Sequence, residues 1–164
     1  MTLLRGYERT LRVLVHGLTA VAAAGVLTMM LVTCIDILLR IVARPLTGAV
    51  DIVRLAGAVT IAAALPYTTA VKGHVAVEFV FHMLGKRGRV VIDTLARVGG
   101  MALFAVLAWE SVLRGRALYQ AGEVTPTSEI PIFWVAYVIA FSCAVTMLVI
   151  LHNLLHPGRE MIKP

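Results

Sequence analysis

The feature that most constrains this chain is an apolar run from Val13 to Ile35 without one Asp, Glu, Lys or Arg. About 20 consecutive apolar residues suffice for a helix to cross the hydrocarbon core of a bilayer. In lipid only helices and closed barrels satisfy every backbone N–H and C=O, so such a run points to a membrane-spanning helix. Ile130–Leu155 is equally free of charge, and Leu55–Val71 reaches spanning length if it begins near Gly48. A further stretch, Val98–Trp109, is short and spans only if it takes in Val90–Arg97, with Asp93 and Arg97 near its start. The expectation is an all-α integral membrane protein, one membrane domain over 1–164, with four spans at about 13–36, 48–71, 90–112 and 130–155.

Composition supports lipid as the solvent. The chain is 60% hydrophobic and 15% charged, with a mean hydropathy of +0.90. A soluble domain is nearer half apolar and a quarter charged. The amino terminus has the outline of a secretory signal, with Arg5, Arg9 and Arg12 before the apolar run and Ala20-Val21-Ala22 shaped like a cleavage site. A cleaved signal has a short apolar core followed by a polar region. Here the run continues unbroken, so a retained span is expected.

The net charge is +6, with a sequence pI of about 9.9. The basic residues sit at the ends of apolar runs, which argues for topology and against nucleic-acid binding. Of 15 Lys and Arg, ten fall on one side: Arg5, Arg9, Arg12, Lys72, Lys86, Arg87, Arg89, Arg97, Arg159 and Lys163. Arg40, Arg44, Arg54, Arg114 and Arg116 fall on the other. That bias puts both termini in the cytoplasm. Trp109 and Trp134 are read as anchors at the opposite interface. Cys34 and Cys143 both lie inside apolar runs; they read as small buried side chains, not as a disulfide framework.

Between the second and third spans, His74, Glu78 and His82 recur at spacing four, with Phe79 and Phe81 among the apolar residues between them. The segment 74–84 reads as a short amphipathic helix in the cytoplasmic interface. A lone strand there would leave its backbone unpaired.

Acid–base pairs also recur at spacing four, acid first: Asp36 with Arg40, Asp93 with Arg97, Glu110 with Arg114. That order suits pairing on a helix face. All three are expected near span ends, where pairing and snorkelling reduce the cost of charge. Five histidines raise the question of haem or metal. With the assigned topology they crowd into one half of the membrane, and His74, Glu78 and His82 on one exposed stripe supply no enclosing ligand. No cofactor and no metal are expected. Small residues recur at spacing four, Ala20, Ala24 and Thr28 in the first span and Ala58 and Ala62 in the second. Such faces let helices approach closely, within the chain or with a partner.

There is no nucleophile elbow, no phosphate-cradling glycine loop and no HExxH, so no enzyme is expected. Nor are there the repeats and paired broken helices of a self-sufficient secondary transporter. The chain reads as a component of something larger. A haem-bearing membrane anchor of a redox enzyme and a small homo-oligomeric channel or exporter remain as alternatives.

The loops carry a resemblance. Asp36-Ile-Leu-Leu-Arg40, followed by Arg44-Pro45-Leu-Thr-Gly48-Ala-Val-Asp51, resembles the first loop of the small membrane subunit of tripartite ATP-independent periplasmic (TRAP) transporters, the DctQ-like component. Leu65-Pro66-Tyr67, Gly73-His74-Val75 and Gly122-Glu123-Val-Thr125-Pro126 with Ile130-Pro131 are similar to the same family. Asp51 stands where Glu is more usual. The resemblance implies a bacterial inner-membrane subunit that carries no substrate itself. Its partners would be a large membrane subunit performing the import, usually sodium-coupled, and a periplasmic binding protein that delivers a small organic acid. Arg40, Pro45, Gly48 and Asp51 would shape the first periplasmic loop, and Glu123, Thr125 and Pro126 the second. Both loops would then be candidates for docking the binding protein, with Phe79 and Phe81 inserted among lipids.

Overall fold

The computed structural model describes residues 2–42, 44–71 and 86–155. They form four helices: α1 over Thr2–Ile41, α2 over Ala49–Ala70, α3 over Lys86–Ala121 and α4 over Phe133–Leu155. Each contains a stretch long and apolar enough to cross a membrane, Arg9–Ile41, Ala49–Ala70, Thr94–Ala121 and Phe133–Leu154. Among the described residues the only pairing of strand type is an isolated bridge between Val124 and Pro131. The expected interfacial helix 74–84, with His74, Glu78, Phe79, Phe81 and His82, lies outside the described residues, as does the side chain of Asp93.

The helices stand in a bent layer in the order α1, α2, α4, α3, with α1 only grazing α4. The edge helices explain this order. The less exposed positions of α1 include Leu11, Val15, Leu18, Ala22, Gly25, Met29, Val32, Asp36 and Leu39, alternately four and three apart, with Leu14 and Thr19 beside them near the core cluster. On α3 the same alternation runs through Arg97, Met101, Phe104, Ala108, Ser111, Gly115 and Leu118. A repeat averaging 3.5 residues makes a narrow seam, so α3 packs chiefly on α4 and α1 chiefly on α2, with α1 reaching α4 only where the core cluster lies. The central helices are buried more broadly, α2 through Asp51, Leu55, Ala62, Ala63, Pro66, Thr69 and Ala70. Leu11, Val15, Leu18 and Ala22 meet Ala63 and Ala70 of α2 and Val145 and Val149 of α4 in the main core cluster.

The small-residue stripe of α1 faces outward. Ala20, Ala24 and Thr28 are exposed, whereas the seam one position along brings Gly25 against α2. A Cβ at Gly25 would stand 2.1 Å from the Thr60 hydroxyl oxygen and 3.4 Å from the Ala56 carbonyl oxygen. On α2, Ala62 is buried and Ala58 half-buried. Pro66 does not break α2, which continues to Ala70. Its missing N–H leaves the Ala62 carbonyl without its helical donor; one turn on, Thr68 and Thr69 donate their hydroxyls back to the carbonyls of Ala64 and Leu65 at 3.0 and 2.9 Å. Of the cysteines, both free, Cys143 is buried but Cys34 is exposed on the outer face of α1. The seam leaves that face uncovered.

α1 and α3 both run further than the stretches expected from hydropathy alone. This matters most for Glu110, expected near a span end. α3 continues beyond it to Ala121, so Glu110 and Trp109 are interior positions, whereas Trp134 is at the start of α4. At 1.5 Å per residue Glu110 stands about 16 Å from the Ala121 end.

Candidate functional site

The polar side chains collect at the two ends of the layer. At one end, here called the tail end, the Tyr7 hydroxyl donates to the Leu148 carbonyl at 3.3 Å and the Tyr7 and His152 rings lie 6.1 Å apart. Asn153 donates its side-chain amide to the Thr69 carbonyl at 3.4 Å, and the Arg97 guanidinium donates to the Asn153 carbonyl. A cation on the last carbonyls of α4 offsets the negative end of that helix.

The other end is built from the loops 42–48 and 122–132, which lock together. The first is turned by Leu39, whose carbonyl accepts the amides of Val42 and Arg44 at 3.1 and 3.0 Å. Asp36 then works in two directions. One carboxylate oxygen takes the Arg40 guanidinium at 2.9 Å, and the other takes the Leu46 amide at 3.0 Å. Gly48 closes the loop with φ of +85°, a left-handed conformation that suits glycine.

The second loop opens with Gly122 at φ +62°. The Glu123 amide reaches the Leu118 carbonyl at 3.2 Å and the Gly122 amide the Tyr119 carbonyl at 3.3 Å. This pair of bonds is a Schellman termination, in which a left-handed glycine satisfies the last helical carbonyls. Thr125, only 3% exposed, organises the rest of the loop. Its amide donates to the Ile130 carbonyl at 2.9 Å, its carbonyl accepts the Glu129 amide at 3.2 Å, and its hydroxyl oxygen accepts the Ile130 amide at 3.0 Å. Closing so tight a loop puts Glu129 at φ +51°, which non-glycine residues seldom adopt.

Asp51 joins the two loops. It sits in the first turn of α2 and is 5% exposed, and one of its carboxylate oxygens accepts the amides of both Thr127 and Ser128 at 2.9 Å. An acid at a helix N-terminus is also favoured by the helix dipole. Gly48 comes so close to Ser128 that a Cβ there would lie 1.9 Å from the serine hydroxyl oxygen.

The expected docking residues thus divide into two groups. Gly48, Asp51 and Thr125 are buried and shape the clasp; the engaged carboxylate of Asp51 is withdrawn from any surface offered to a partner. Arg40, Pro45, Glu123 and Pro126 are exposed on it. Ser128, Thr127 and Glu129 complete the clasp, and sequence reasoning alone does not single them out. The nearest signal is an acid three residues after a glycine, with a Thr-Pro-Thr-Ser run elsewhere, and nothing local pairs the two.

Elsewhere the expected spacing-four pair of Glu110 with Arg114 does not form: both side chains are exposed and no ion pair joins them. His16 is exposed and turns its ring to the Arg12 carbonyl at 2.8 Å. Among the described residues no three His, Cys, Asp or Glu side chains come together as a metal site.

Residues 29–159 match the family model described as the DctQ component of tripartite ATP-independent periplasmic transporters. No curated protein and no solved structure matches the chain significantly.

Proposed function

The chain belongs to the DctQ component family of the tripartite ATP-independent periplasmic transporters, and from this we propose that it is a non-catalytic small permease subunit bracing a large membrane subunit. In this reading the large subunit moves the substrate, a small organic acid, with sodium as the coupling ion. A periplasmic binding protein delivers that acid. The Lys and Arg bias supports a clasp on the periplasmic side of a bacterial inner membrane, with both termini in the cytoplasm.

The observation that carries the reading is the extent of the family match, which takes in the last part of α1, all of α2, α3 and α4, and both clasp loops. The shape of the molecule suits a brace. A bent layer of helices exposes far more apolar surface than a closed bundle of the same length, and α1 and α3 are each covered along a single seam. The clasp suits docking because its exposed residues, Arg40, Pro45, Glu123 and Pro126, sit on a loop pair held rigid from below by Asp51.

An affinity pull-down of the tagged chain from native membranes in mild detergent tests this. Recovery of a stoichiometric, much larger polytopic protein is expected. Recovery of the chain alone, or with a soluble redox enzyme, would refute the scaffold role. For docking, Glu123→Lys combined with Glu129→Lys should weaken transport while leaving the membrane complex intact, and unchanged transport would rule the clasp out.

A further inference from the structure

We propose that the face of α3 carrying Leu103, Val106, Glu110 and Leu113 is covered in the membrane by a helix of the large subunit that presents a cationic side chain to Glu110. The inference rests on the scaffold reading and adds to it which face makes the contact and through which residue.

Three observations lead here. First, Glu110 lies inside the candidate span Thr94–Ala121. Gly100 faces Ile150 and Gly115 faces Tyr137. α3 and α4 therefore run antiparallel, and Glu110 stands level with about Ala140, roughly 10 Å inside the start of α4 at Phe133. That depth is within the hydrocarbon of a ~30 Å core. Second, Glu110 is exposed and has no hydrogen-bond or ion-pair partner among the described residues. Third, its neighbours on that side of the helix, Leu103, Val106 and Leu113, are 57%, 59% and 41% exposed. Positions three and four apart share a helix face. The face is therefore an apolar stripe interrupted by one carboxylate.

A carboxylate on a lipid-facing surface at that depth is strongly unfavourable, which is why such residues face protein or water. Arg114 does not resolve the cost. It sits one turn nearer the Ala121 end, is itself exposed, and forms no ion pair with Glu110. The other edge of the layer supplies the contrast. α1 exposes Val13, Val21, Val26, Leu27, Met30 and Leu31 in a stretch with no charged residue at all. That is the composition of a surface that meets acyl chains. Charge assigns lipid to the α1 edge and protein to the α3 edge, and a buried carboxylate calls for a cation on the covering helix.

The test uses the full chain in native membranes. Glu110→Gln should lower recovery of the large subunit about three- to twenty-fold, the range of interhelical polar contacts in lipid. Arg114→Gln should recover it as wild type does, and thermal unfolding of the isolated subunit should be the same for all three. A photoreactive residue placed at Val106 should link to the large subunit, and one at Leu27 to lipid. Equal recovery of wild type and Glu110→Gln, together with lipid alone on the probe at Val106, would overturn the assignment of this face. Wild-type chain that brings down no large subunit would instead refute the scaffold reading itself.

Discussion

The Ser128 amide donates to the Asp51 carboxylate at 2.9 Å, joining residues 77 positions apart. The Thr127 amide adds a second bond of 2.9 Å to the same oxygen. This one side chain ties the start of α2 to the loop between α3 and α4, so the two halves of the layer meet at their loop end through a buried charge. Hydrogen bonds to an ionised group contribute about 1.5–3 kcal/mol each and leave an unsatisfied donor when removed. Asp51→Ala should therefore destabilise the subunit by roughly 2–4 kcal/mol, and Asp51→Asn by less, because its amide oxygen still accepts. Thermal unfolding in detergent measures both, and an unchanged midpoint for Asp51→Ala would show that the clasp adds nothing to stability.

Gly48→Ala carries two penalties that can be separated. The backbone at φ +85° disfavours any Cβ, and the new methyl would meet the Ser128 hydroxyl oxygen at 1.9 Å. The conformational part costs about 1–2 kcal/mol. Ser128→Ala in the same chain should restore the steric part and leave the conformational part, which a double-mutant cycle reads as a coupling between the two sites. Strictly additive effects would place Ser128 away from Gly48.

Gly25 and Ala24 are neighbours with opposite surroundings. Gly25→Leu should push α1 off α2, since even a Cβ would stand 2.1 Å from the Thr60 hydroxyl oxygen. Overpacking of this kind costs about 1–3 kcal/mol or more. Ala24→Leu, on the exposed face, should leave the isolated subunit within about 0.5 kcal/mol of wild type. The order of the two unfolding midpoints checks which face of α1 packs, and the reverse order would contradict the seam.

Asp36 organises its loop more than it stabilises the fold. Its partner Arg40 is 61% exposed, so the ion pair contributes little. The Leu46 amide at 3.0 Å is the more informative contact. In Asp36→Ala, hydrogen exchange at Leu46 should accelerate by about tenfold or more, while the global unfolding midpoint moves only slightly. Unchanged exchange at Leu46 would mean another group holds that amide.

The solvent and the number of crossings are legible in the amino-acid sequence alone. Val13–Ile35 and Ile130–Leu155 have no alternative to lipid, because water cannot accommodate that much uncharged surface and lipid requires a self-satisfied backbone. The loop motifs from Asp36 to Asp51 and from Gly122 to Pro131 suggest the family, and both lie within the residues that its model matches. Tertiary structure decides which faces pack. In lipid an apolar side chain gains nothing by turning inward, so hydrophobic periodicity does not mark the interior, and shape and small residues choose the seam. That is why Ala20, Ala24 and Thr28 look like a packing stripe yet point outward, while Gly25 one position along makes the contact. Tertiary structure also decides the partner of Asp51 and the place of Glu110 along α3. The first depends on a contact made across the layer, and the second on α3 running on to Ala121 against the start of α4.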